Sequence, residues 1–174
     1  ELSEYSNFFW SITINIAIAI INEINNCVES KQIYTALTLA LSLPDACGSL
    51  EWPELSGKRH VGKRYKKWFD KNVIYYLSPL SIYNKDCPPI LTGEECYKLR
   101  CSVLHNGETD ISKELNIDYY QIDLETNRLG GPEFRRGNTV EVKNNEWVVK
   151  QYFFIKAFVL IKSIVDAAEN FINN

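Results

Sequence analysis

Apolar positions along the chain fall first at helical spacing, then briefly at alternating spacing, and then at helical spacing again. Residues 5–29 and 31–46 read as two helical runs, with Ser30 offered as the N-cap of the second. That second run, "KQIYTALTLALSLPDACG", is apolar nearly all round, as a central bundle helix would be, and Pro44 and Gly48 are expected to end it. In "KRHVGKRYKKWFDKNVIYYL" (58–77), Val61, Tyr65, Trp68 or Phe69, Asn72 or Val73, and Tyr76 recur at three- and four-residue steps, which predicts an amphipathic third helix. "SPLSIYNKDCPPI" holds three prolines and reads as a connector.

"LTGEECYKLRCSVLHNG" (91–107) predicts a fourth helix with clear ends. Thr92 followed by Glu95 is a capping box, and Gly107 can supply the left-handed closing residue. Over 117–149 the pattern alternates in "YYQIDLET", "NTVEVKN" and "EWVVK", with turns in "NRLGGPEFRRGN" and "NN", so a small β-hairpin or three-stranded meander is expected. A last helix over 150–172 would carry Phe154, Phe158, Ile161, Val165 and Ala168 as its apolar stripe. The expected fold is all-α: one domain over residues 1–174, an up-and-down bundle of about five helices with a small β insertion before the last.

Composition narrows the class without changing that picture. At 174 residues and 45% apolar the chain has the size and makeup of one globular domain, and a net charge of −3 makes any basic function local. The stretch 8–21, "FFWSITINIAIAII", is shorter than the roughly 20 residues needed to span a bilayer, so a buried helix and no membrane partner are expected. Five cysteines, an odd number without a Cys-x-x-Cys pair, and two histidines make neither a disulfide framework nor a zinc site. Reduced thiols point to a cytoplasmic protein, with no cofactor and no metal expected.

The candidate chemistry lies on the fourth helix. Cys96, Leu99 and Val103 mark its buried side, and Arg100 sits at the margin of that stripe, where a guanidinium is costly unless something needs it. It could snorkel, pair with a carboxylate such as Asp45, or hold a ligand. His105 falls in the last turn, where an imidazolium suits the helix dipole and an imidazole suits general acid or base work. Five helical steps set the two side chains about 140° apart, so a shared site needs a bend in the helix or a second copy of it.

Here the chain resembles the HEPN superfamily. "RCSVLH" fits its Arg-x4-His signature on a late helix, with "LALSLPDACG" and "GKRYKKWFD" on the helices before it. The resemblance implies a metal-independent endoribonuclease of a bacterial defence or toxin–antitoxin type, with an antitoxin or defence-system partner. It implies a homodimer joined through helix 92–106, with the ribose 2′-hydroxyl attacking the adjacent phosphate. Arg100 would hold the phosphate, His105 would move the proton, and Asp45, Cys101 and Asn106 are supporting candidates. Cys101 stands where active members commonly carry Asn, Asp or His. The alternative is therefore a catalytically silent module that binds RNA, nucleotide or protein.

Lys58, Arg59, Lys63, Arg64, Lys66 and Lys67 crowd into ten residues around Tyr65 and Trp68, and form a candidate RNA-binding patch. The aromatics among them are expected in the core. Arg128, Arg135 and Arg136 could extend the patch, and Glu51, like Asp45, could orient the catalytic pair. No glycine-rich phosphate loop is present, so nucleotide hydrolysis has no visible machinery.

Overall fold

The fold is a computed structural model. It describes residues 2–55, 57–77, 89–125, 134–143 and 146–174, with side chains from residue 10 onward. Residues 78–88 of the predicted connector (78–90), the turns at 126–133 and 144–145, and Arg128 lie outside the described residues.

Helix α1 (Leu2–Glu29) buries Ala17, Ile21, Ile24 and Cys27, one stripe at three- and four-residue steps. The turn after it contains Lys31, which adopts a left-handed φ of 60°, and Gln32 rather than Ser30 precedes the next helix. The predicted second run is two helices, α2 (Ile33–Ala40) and α3 (Leu43–Glu51). The hydroxyl of Ser42 donates to the Leu39 carbonyl at 2.6 Å in the break between them. Pro44 opens α3 rather than ending α2, because its missing N–H falls among first-turn amides that have no helical partner. Gly48 lies inside α3, where a Cβ would come within 3.0 Å of the Arg64 carbonyl oxygen.

Two 3₁₀ turns (Pro53–Leu55 and Lys58–His60) lead into α4 (Val61–Trp68). A π turn over Phe69–Val73 follows, then α5 (Ile74–Leu77). The wider turn lets the adjacent Trp68 and Phe69 both be fully buried, which settles a choice the periodicity left open. Next come α6 (Gly93–Asn106) and the short α7 (Ser112–Leu115). Strands β1 (Tyr119–Asp123), β2 (Phe134–Lys143) and β3 (Glu146–Lys156) precede α8 (Ala157–Asn173).

The expected all-α bundle with an appended β insertion is not what forms. The three strands make a mixed sheet in the order β1-β3-β2, with β3 central, parallel to β1 and antiparallel to β2. The hairpin is present, but the meander is not, since a meander would place β2 in the middle. Tyr120 and Ile122 lie opposite Phe153 and Ile155, all four are buried, and the Tyr120 and Phe153 rings stack 4.8 Å apart. The sheet is thus a wall of the core. The last helix starts at Ala157 rather than at residue 150, because residues 150–155 pair with β2 and residues 152–156 with β1. Phe154 belongs to β3, and Phe158 is exposed. The stripe of α8 is carried by Leu160, Ile161, Ile164, Val165 and Ala168.

Two segments, Trp10–Glu29 and Ile33–Glu51, are long and apolar enough to cross a membrane, with mean hydropathies of 1.3 and 1.2. The second is broken at Ser42 and more than half buried in the fold.

Candidate active site on helix α6

Local chemistry defines the ends of α6 as the sequence predicts. The Thr92 hydroxyl accepts from the Glu95 amide at 3.2 Å, and the Glu95 carboxylate accepts from the Thr92 amide at 2.9 Å. Gly107, at φ 73°, closes the helix, its amide donating to the Val103 carbonyl at 3.1 Å. Two tertiary contacts then place α6. The Gly93 amide donates to Asp70 at 2.6 Å, and Arg136 on β2 reaches the Glu95 carboxylate with both terminal nitrogens, at 2.7 and 3.1 Å. A Cβ on Gly93 would stand 2.5 Å from the Lys66 carbonyl oxygen, so α4 and α6 touch backbone to backbone.

Cys96, Leu99 and Val103 are buried as expected, and Arg100 is half-buried beside them. Its guanidinium carbon lies 6.0 Å from the Tyr65 ring centre and 5.8 Å from that of Tyr97. Its Nε is buried without an acceptor, and among the described residues Arg100 forms no ion pair. The expected partner is taken: Asp45 accepts from Arg64 Nε at 2.6 Å. Arg64 is 7% exposed and also donates to the carbonyls of Leu55 (2.7 Å) and Gly57 (3.3 Å). Glu51 is paired with Lys71 and Asn72, so neither acid orients Arg100 or His105.

Tyr97 belongs to this site, although sequence reasoning passed over it. It sits three residues before Arg100 and four before Cys101, on one face of α6. Its ring lies over Gly62, where a Cβ would come within 3.1 Å. Burial and the neighbouring Cys101 push the Tyr97 phenol above its ordinary value of 10, against the pull of Arg100. The deeper Tyr65 phenol, raised well above 10 by burial first and then by Cys96, shares a hydrogen bond with the Cys96 thiol at 3.3 Å. Both phenols are therefore neutral hydrogen-bonding groups at physiological pH. Cys101 is half-buried beside them. His105 and Asn106 are exposed at the far end of α6, with Leu104, and the fold does not bring His105 to Arg100 within one chain.

The basic patch divides. Arg64 is consumed by Asp45 and is not available to a ligand; the periodicity could not show this, because its acid comes from α3. Lys66 pairs with Glu94 at 2.7 Å. Lys67 covers the Trp52 ring at 4.1 Å, and Lys58, Arg59 and Lys63 are exposed. Arg135 is exposed, whereas Arg136 is committed to Glu95. Tyr65 and Trp68 are core residues, fully buried. Among the described residues no three His, Cys, Asp or Glu side chains are grouped as metal ligands.

Comparison with protein-family models, with characterised proteins and with solved structures brings no match.

Proposed function

We propose that the chain is a HEPN-type endoribonuclease that works without a metal, in the cytoplasm, within a bacterial defence or toxin–antitoxin system. The observation that carries this reading is Arg100. A half-buried guanidinium keeps no carboxylate among the described residues, and a buried Nε without an acceptor is costly unless a ligand supplies one. A phosphate oxygen fits that vacancy. Arg100 binds the scissile phosphate and its developing charge, and the Tyr97 hydroxyl is a second donor at the same face. The ribose 2′-oxygen attacks phosphorus as a base removes its proton, the 5′-oxygen leaves with a proton, and the product is a 2′,3′-cyclic phosphate. His105 moves one of these protons. Since α6 directs Arg100 inward and His105 outward, the working pair forms between two copies joined through α6 around Leu104, Cys101 and Tyr97.

The second reading is a silent module that binds RNA, nucleotide or a partner protein, and Cys101 beside the arginine favours it. Incubation of the purified protein with mixed RNAs in excess EDTA separates the two. Cleavage with cyclic-phosphate ends that Arg100→Ala abolishes supports the nuclease. Cleavage that EDTA abolishes and Mg²⁺ restores rules the mechanism out.

A further inference from the structure

Strands β2 and β3 outrun the core. They are 10 and 11 residues long, but β1 pairs only with Tyr152–Lys156, so the ribbon beyond Gln151 has no third strand. On one face of β3, exposure climbs from 0% at Ile155 and 3% at Phe153 to 61% at Val149 and 78% at Trp147. Their cross-strand partners on that face, Val140 and Val142, are 54% and 60% exposed. The opposite face carries Glu141, Lys143, Glu146 and Lys150. The arm is therefore largely amphipathic, with Val148 the apolar residue on its charged side, and the Asn138–Gln151 pair separates its exposed apolar tip from the buried face of the sheet. A two-stranded ribbon alone in water is marginal, so this one is built to be covered.

The chain carries a second uncovered apolar surface. In α1, Trp10, Ile12, Ile16 and Ile18 are 40–50% exposed, Ile12 and Ile16 together on one flank and Trp10 and Ile18 on other sides of the helix, and no charged residue occurs between Glu4 and Glu23. Both surfaces stand open, so they do not cover each other within one copy. The stretch Trp10–Ile18 is about 13 Å long, and the free arm about 20 Å. With about 200 Å² for a large side chain, the exposed fractions of the four arm residues with Ile12 and Ile16 amount to roughly 700 Å² per copy, close to the share each partner contributes to an ordinary stable interface.

We propose that two copies exchange these surfaces, the β2–β3 arm of each lying on helix α1 of the other. The contact is isologous, so it closes as a dimer instead of propagating. An uncharged helix flank meets an uncharged ribbon face, and the arm's charged side stays in water. The arm contact uses neither Arg100 nor His105, and it is separable from the α6 contact proposed above.

The test is sedimentation of the purified chain at micromolar concentration, with Trp147→Asp and Ile16→Asp variants whose circular dichroism and melting are checked against the parent. Each variant should raise the dimer Kd by roughly thirtyfold or more. In a Cys101→Ser background, unlabelled Ile16→Cys copies are mixed with isotope-labelled Val149→Cys copies and oxidised. A disulfide joining a light α1 peptide to a heavy arm peptide is the expected product. A parent chain that stays monomeric overturns the proposal, including one that instead binds neutral lipid vesicles through α1. A dimer that survives both Asp variants overturns it too, and leaves the α6 contact to account for association. Loss of the dimer with Trp147→Asp alone shows that the arm meets something other than α1.

Discussion

Asp45 gives its carboxylate to Arg64 at 2.6 Å, and among the described residues Arg100 has no ion pair. The arginine that would have been counted as a surface cation is a buried strut between α3, α4 and the loop before α4. The arginine that would have been a strut, Arg100, forms no ion pair among the described residues and lies against the rings of Tyr65 and Tyr97.

Arg64→Ala should cost about 2–3 kcal/mol in urea unfolding, because it strands a partly buried carboxylate and two carbonyls that lose their donor. Replacing Lys58, Arg59, Lys63 and Lys67 together should cost at most about 1 kcal/mol in urea unfolding, since these side chains are exposed and only Lys67, over the Trp52 ring, makes a cation–π contact. The same fourfold change should weaken RNA binding and flatten its salt dependence. An unaltered salt slope would mean that this face has no part in binding.

Arg100→Met should abolish cleavage and yet raise stability by about 1 kcal/mol, for it removes a buried donor that has no acceptor while keeping the apolar stem. Unfolding and cleavage measured on one preparation check both halves. A stability loss of several kcal/mol would show a hidden structural partner for the guanidinium.

Arg100→Ala and His105→Ala should each be inactive and folded, and mixing them with subunit exchange should restore part of the activity. Leu104→Glu, at the exposed edge of α6, should weaken the same contact. No recovery from verified mixed dimers would confine each working pair to one chain.

The Glu95 carboxyl should tune acid stability. Burial alone would raise it, but Arg136 and Thr92 hold it below its ordinary value of 4.5. A carboxyl depressed on folding stabilises above its unfolded value and loses that contribution as pH falls through the folded one. The stability gap between the parent and Glu95→Gln should thus be constant near neutral pH and shrink only below about 4.5, the unfolded carboxyl's value. A gap that does not change on acidification would assign the effect to helix capping alone.

Gly93→Ala should destabilise by about 1–3 kcal/mol, since the new methyl would meet the Lys66 backbone at 2.5 and 2.9 Å and force α4 from α6. Thermal unfolding reads the cost directly. A neutral result would show that the two helices separate without loss.

The sequence by itself determined what is decided within a turn or two of chain. The ends of α6 follow from Thr92, Glu95 and Gly107, because a capping box and a left-handed closing glycine bond only to their neighbours. The buried stripe of Cys96, Leu99 and Val103, with Arg100 at its margin, follows from helical periodicity. Tertiary structure decided everything that depends on partners far away in the chain. Residues 150–156 satisfy a helical pattern, with Phe154 and Phe158 four apart, but β2 pairs with them up to Ile155 and β1 from Tyr152 onward, and this makes them part of a central strand. Pairing with a strand some 30 residues upstream leaves no mark in local spacing. The same holds for Asp45, which lies within reach of two arginines in sequence terms. Only the packing of α3 on α4 gives it to Arg64 and leaves the guanidinium of Arg100 open.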